Sequence, residues 1–279
     1  MEFLHEFMHR WMGLPLLASE HGSNVDRLLV YFHLLMVVLF VGWTAFFLYT
    51  LWRFRQRKNP TADYHGARTH ASSWLEAGVA AVELLLLFGL ALPHWARAVE
   101  QFPPESESTV IRVIGRQFNW VARYPGADGV FGKGDVQLVS PSNPFGLFAL
   151  EPKLKGSDPD GLDDIVGPIN EIVVPVNKPV IAHITAMDVI HSFKIHPLRV
   201  TQDANPGMSI PVHFLPTRLG TYEIQCSQLC GNGHYAMRGY FKVVTPGEYE
   251  AWLKSKSTVG NTVPAQQAKN DSSERKIES

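Results

Sequence analysis

The sequence predicts a two-helix transmembrane hairpin followed by an all-β sandwich. Two apolar runs and a change of pattern after them carry this. Residues 28–52 hold no Asp, Glu, Lys or Arg, and residues 77–95 are broken only by Glu83. A bilayer-crossing helix needs about 20 predominantly apolar residues, so both runs suffice. From residue 107 onward the pattern shifts to short β-rich runs bounded by Pro and Gly, the pattern of a sandwich. A net charge of −1 leaves no electrostatic footprint for a nucleic-acid partner. Two cysteines in the whole chain are too few for a disulfide framework.

Taken in order, residues 1–26 read as an extracytoplasmic lead-in. Their start, "MEFLHEFMHR", lacks the basic opening and short apolar core of a cleaved signal, so the first helix is expected to stay as an anchor. The hairpin covers 27–98, with helices at about 27–52 and 74–97. Trp43, Trp52, Trp74 and Trp95 include indoles near the span ends, where such amphipathic rings settle. The connecting loop carries Arg53, Arg55, Arg57, Lys58 and Arg68 against one acid, Asp63, whereas the outer flanks carry Arg10, Arg27 and Arg97. Basic loops stay in the cytoplasm. A two-pass protein of a bacterial inner membrane results, with both termini and the β domain on the periplasmic side. That domain spans 107–254. Its strands are expected in "TVIRVIGRQFNWVARY", "EIVVPV", "PVIAHITA", "SIPVHFL", "TYEIQC" and "GYFKVV", with a helix in "PGEYEAWLKS". Residues 125–168, rich in Gly, Asp and Pro, read as an irregular insertion. Residues 255–279 are polar and short of core formers, the composition of a disordered tail.

The chemistry concentrates in "QCSQLCGNGHYAM", residues 225–237. Cys226, Cys230, His234 and Met237 follow the spacing C-x3-C-x3-H-x2-M. Thiolate, thioether and imidazole form a soft set that favours copper, whereas zinc seldom takes a thioether. Gly231 and Gly233 give the loop backbone freedom. His191, in "DVIHSF", is a candidate for a further imidazole. One blue-copper ion needs a single thiolate, so two thiolates suit a bridge between two metals. A small disulfide, a structural zinc site and a core role for Met237 are the competing readings. His183, His196 and His213 lack such context and read as surface or satisfied histidines.

Together with "DVIHSF", "DANPGM" and the "WLE…ALP" of the second helix, "CSQLCGNGHYAM" resembles the CuA domain of subunit II of haem-copper cytochrome c oxidases. The resemblance spans roughly 27–254. It implies a cupredoxin-like sandwich with two copper ions. Cys226 and Cys230 would bridge both, His191 and His234 would each bind one, Met237 would be a weak ligand, and the Gln228 carbonyl would complete the set. It also implies a partnership with subunit I and the other oxidase subunits. Electrons would come from cytochrome c or a larger quinol-oxidising complex outside the membrane. Subunit I would use them to reduce oxygen while protons are pumped, so no bond chemistry falls to this chain.

Several positions depart from the family pattern. The glutamate usual between the cysteines, which helps bind Mg or Mn beside subunit I, is Gln228 here. A neutral amide is a poorer hard-cation ligand than a carboxylate, and Asp203 is a further matching acid. The family's exposed tryptophan for electron uptake is Phe118, with Trp120 at the second aromatic position. The acids of "SDPDGLDD" read as a solvated run or as a lure for a basic donor. Glu76 matches a family glutamate at the mouth of a proton path, and is equally well placed as an ordinary interfacial acid at a helix start. Glu83 lies about two turns deeper, where the family often has proline, and an ionisable group at that depth is a functional candidate. A CuA subunit of a nitric-oxide or nitrous-oxide reductase is the alternative function. A copper-binding assembly protein would show an exposed Met-rich or Cys-x-x-Cys site, and a quinol-oxidase subunit would lack the ligands.

Overall fold

The computed structural model describes residues 6, 10–61, 64–65 and 69–261. Arg68 and Asp63 of the connecting loop, and the tail from residue 262, lie outside the described residues. The chain divides into two units: residues 1–14 with 23–101, and residues 15–22 with the chain from Phe102 onward.

The first unit is built on two helices, α1 (Gly22–Arg53) and α2 (Ala71–Glu100). Their 32 and 30 residues make rods of about 48 and 45 Å, longer than the roughly 30 Å of a bilayer's hydrocarbon. Neither buries its apolar window within the chain. Phe40 is 72% and Leu85 69% exposed, an exposure that only lipid or other membrane helices can satisfy. Both helices outrun the ranges expected from apolar residues alone. Their extra turns are polar, "GSNVD" and "ASS" at the starts, because a backbone near lipid continues its hydrogen bonds until water can take them over. Within α2, residues Leu87–Ala91 widen into a π turn, with the Leu92 N–H donating to the Leu87 carbonyl. Pro93 follows directly. It has no N–H for the Gly89 carbonyl and its ring crowds that oxygen, and the wider turn accommodates both effects.

The second unit is a sandwich of two five-stranded sheets. Its strands are β1 (Thr109–Arg116), β2 (Asn119–Tyr124), β3 (Ile165–Val166), β4 (Glu171–Pro175), β5 (Val180–Ala186), β6 (His191–Ile195), β7 (Val200–Ala204), β8 (Ile210–Phe214), β9 (Gly220–Cys226) and β10 (Arg238–Val244). One sheet runs β3-β2-β1-β5-β8 and the other β4-β10-β9-β6-β7. Alternation sets the inner face. Ile111 and Val113 of β1 and Ile224 of β9 are buried, while Arg112 and Glu223 between them point outward. Tyr124 ties the sheets together: from β2 it reaches β4, where its hydroxyl accepts the Val173 N–H at 2.8 Å. Helix α3 (Pro246–Lys254) closes one side. It starts at a Thr245–Glu248 capping box, which satisfies otherwise orphaned donors, and packs Trp252 edge-on to Tyr124, ring centres 5.0 Å apart.

Three segments outside the predicted strands also pack into this unit. In the N-terminal lead-in, the Ala18 N–H donates to the Pro197 carbonyl and the Ser19 hydroxyl to the Leu198 carbonyl, and both residues are buried. The 125–168 segment is held by a buried ion pair between Arg123 and Asp164, reinforced by Arg123 Nη2 donating to the Gly132 carbonyl at 2.7 Å. It also has a small core of its own, Leu147 and Ala149, shared with Val259. Residues 255–261 therefore fold back: the Val259 N–H donates to the Asp164 carbonyl at 2.8 Å.

Candidate metal centre

Two antiparallel pairings bring the donors together. β6 opens on His191, β9 ends on Cys226, and the two pair through Phe193 and Cys226. β9 also pairs with β10, Gln225 opposite Arg238. The ten residues between Cys226 and Met237 thus leave and re-enter the same end of the sheet. The Cys226 N–H donates to the Met237 carbonyl at 3.3 Å, and the Ser227 N–H to the Ser192 carbonyl at 3.1 Å. Gly231 has φ +129°, a conformation that favours glycine. A side chain there would also meet the Gln117 amide and the Phe118 ring.

The sulfurs of Cys226 and Cys230 are unbonded and 3.7 Å apart. His191 Nδ1 lies 3.9 Å from Cys226 Sγ, and His234 Nδ1 lies 3.6 Å from Cys230 Sγ. Met237 Sδ is 3.7 Å from Cys230 Sγ, and the Gln228 carbonyl oxygen is 3.1 Å from Cys226 Sγ. The donors of His191, Cys226 and Cys230 all fall within 4.8 Å of one another. Burial pushes the Cys230 thiol well above its ordinary value, and the adjacent Cys226 sulfur pushes it the same way. Two thiols so close resist ionising together unless a cation sits between them. Sulfur, imidazole nitrogen and one carbonyl make a soft donor set that fits copper.

A second layer fixes the first. Asp188 Oδ1 lies 2.8 Å from His191 Nε2, and a ring that donates from Nε2 in its neutral form presents Nδ1 to the sulfurs as a donor atom for metal. Burial works to raise the Asp188 pKa, but the Gln117 N–H, the His191 ring and the Val189 N–H outweigh it and hold the carboxyl below its ordinary value. Trp120 packs edge-on to His191, ring centres 6.0 Å apart. Gly115 permits this, because a Cβ there would lie 2.8 Å from the indole.

The remaining sequence candidates are spread more widely. Phe118 is half-buried and lies across Gly231 and Gly233 of the ligand loop. Trp120, the second candidate for electron entry, is fully buried and packs as a core aromatic behind His191. Asp203 and the Gln228 side chain are exposed, Asp203 facing Ser192 across the β6–β7 pair. Glu76 and Glu83 are exposed on α2. Sequence reasoning missed Asp188 and Gln117. The signals were present, an acid three residues before a candidate histidine and a glutamine in the aromatic segment, but the contacts of Gln117 with Asp188 and Cys230 join segments far apart in the chain.

Fold and site define a membrane protein with two apolar spans and a cupredoxin-like β-sandwich that carries a cysteine–histidine cluster able to hold a metal. The family model described as "Cytochrome C oxidase subunit II, periplasmic domain" matches residues 151–244. The alternative cytochrome c oxidase subunit 2 of Bradyrhizobium diazoefficiens is 31% identical over 249 residues, covering 89% of this chain and 85% of that protein. Cytochrome c oxidase subunit 2 of Cereibacter sphaeroides is 31% identical over 246 residues, covering 85% and 77%. Among solved structures, the periplasmic domain of subunit II of cytochrome oxidase from Bradyrhizobium japonicum is 29% identical with a TM-score of 0.38, covering 55% of this chain and 94% of that one. The chain belongs to the cytochrome c oxidase subunit 2 family, whose oxidase complex is an oxidoreductase, and its β domain lies outside the cytoplasm.

Proposed function

We propose that this chain is the electron-accepting subunit of a proton-pumping haem-copper terminal oxidase and that its outer domain holds two copper ions. The observation that carries the reading is the convergence of three side chains and one carbonyl on the paired sulfurs of Cys226 and Cys230, all within 3.9 Å of one sulfur or the other. When bound, copper would supply one-electron chemistry, tuned by the surroundings of the sulfurs. The chain's own residues keep the donors still. Cys226 and Cys230 would hold it through their sulfurs, His191 and His234 through one imidazole each, and Met237 and the Gln228 carbonyl through weaker contacts. Phe118, half-buried beside the loop, is the side chain through which electrons arrive from cytochrome c or a larger quinol-oxidising complex. They pass on to subunit I, which reduces oxygen to water. Glu76 serves proton uptake at the cytoplasmic end of α2, and both termini lie on the periplasmic side of the bacterial inner membrane. Asp203 and Gln228 are the residues available to a shared Mg or Mn, a weaker pair than one with two carboxylates.

Metal counting with electron paramagnetic resonance on the purified full chain tests this. Two coppers sharing one unpaired electron are expected; one copper, or zinc, overturns the reading. Cys226→Ser and Cys230→Ser should each abolish that signal and, in the assembled oxidase, electron delivery to subunit I.

A further inference from the structure

The ligand loop is fastened at its two ends, where the Cys226 N–H meets the Met237 carbonyl and the Ser227 N–H meets the Ser192 carbonyl. Among the described residues, the hydrogen bond that ties the middle of this loop to the rest of the sandwich comes from Gln117, whose side-chain Nε2 donates to the Cys230 carbonyl at 2.7 Å. The main chain of the same residue acts on the opposite side of the site. Its N–H donates to Asp188 Oδ2 at 2.7 Å, while Asp188 Oδ1 accepts from His191 Nε2. One residue thus grips both ligand-bearing segments: directly at Cys230, and through Asp188 at His191.

The grip has a rigid base. Gln117 sits in the turn between β1 and β2, where Arg116 Nε donates to Asn119 Oδ1 and Arg116 Nη1 to the Pro141 carbonyl, each at 2.8 Å. The Trp120 N–H is held by Asn170 Oδ1 at 2.9 Å. A staple on such a turn fixes the spacing between a histidine and a thiol before any metal arrives.

We infer that Gln117 is a positioning residue that preorganises the metal-free site, its amide setting the place of Cys230 and its main-chain N–H orienting His191 through Asp188. This rests on the reading of the same site as a copper centre, and the two are separable by experiment. Gln117→Glu keeps the shape but loses the N–H donor, and Gln117→Ala removes the side chain. Both leave the main-chain bond to Asp188 intact. Because Gln117 is an exposed residue outside the hydrophobic core, neither disturbs the core.

The test uses the full chain in detergent, stripped of metal and kept reduced, with dithiodipyridine as an uncharged thiol probe. Losing the amide bond should speed thiol modification about fivefold in both variants, the factor that one ordinary hydrogen bond implies. After addition of copper ions, both should bind metal with altered absorption, hyperfine splitting and midpoint potential. Asp188→Asn gives a second arm. An amide offers one oxygen, so either the Gln117 N–H or the His191 ring loses its acceptor, and the spectra should shift again. Parental thiol rates and parental spectra in both Gln117 variants would overturn the inference while leaving the copper reading intact. Faster thiol modification in a chain whose parent takes up no copper would support the staple and sink the copper reading.

Discussion

Met237 Sδ lies 3.7 Å from Cys230 Sγ in a side chain that is 2% exposed. In the proposed site its thioether would be a weak donor, and such donors tune potential more than they hold metal. Met237→Leu should therefore retain copper and raise the midpoint potential, as redox titration would show; loss of metal would assign Met237 a stronger hold. Gly233 gives a second residue-scale expectation. A Cβ there would overlap the Phe118 ring, so Gly233→Ala should displace that ring and slow electron uptake from an external donor, with stopped-flow reduction as the measurement. The candidate donors were legible because Cys226, Cys230, His234 and Met237 sit in one short loop whose donor types suit a soft metal. The residues behind them were not. Gln117 and Asp188 are 71 residues apart, and Gln117 and Cys230 are 113 apart, so neither contact leaves a local pattern.

At the scale of elements, strands with clear alternation, such as β1 and β9, could be read directly. β3 is two residues long, and β7 alternates only weakly in "VTQDA", so neither gives a periodic signal. The lead-in residues Ala18 and Ser19 escaped notice because their partners are main-chain carbonyls, which no side-chain pattern encodes. Two cross-ties carry expectations of their own. Tyr124→Phe leaves the buried Val173 N–H without an acceptor and should cost about 1–3 kcal/mol in a denaturant titration. Arg123→Ala leaves the Asp164 carboxylate buried without its partner and should cost more, about 3–5 kcal/mol, because the lone charge cannot regain water. Equal costs for the two would mean that water reaches Asp164 once Arg123 is gone.

At the scale of the whole molecule, the outer unit is built to be acid-sensitive. Burial lowers the pKa of His21 against a weaker opposing bond to the Arg199 carbonyl, and burial is also the leading cause of the lowering at His183 and His196. The unfolded chain, with histidines near 6.5, takes up protons first as pH falls. The stability these residues contribute is full above that value and is lost as pH drops below it toward the lowered folded values. Urea midpoints followed by tryptophan fluorescence should fall between pH 7.5 and 5.5, and His21→Gln should flatten the slope. An unchanged slope would place the sensitivity on the other two histidines. Asp188, with a lowered pKa, acts in a separate window: its contribution is present above the ordinary aspartate value of about 3.9 and is lost only in stronger acid.

Every proposed copper donor except His191 lies within residues 226–237, and the hydrogen bond between Cys226 and Met237 shuts that segment like a clasp. The centre is accordingly a portable cassette. Transplanted between two adjacent strands of an unrelated sandwich, beside a neighbouring strand that begins with histidine, those residues should confer copper binding on a host that had none.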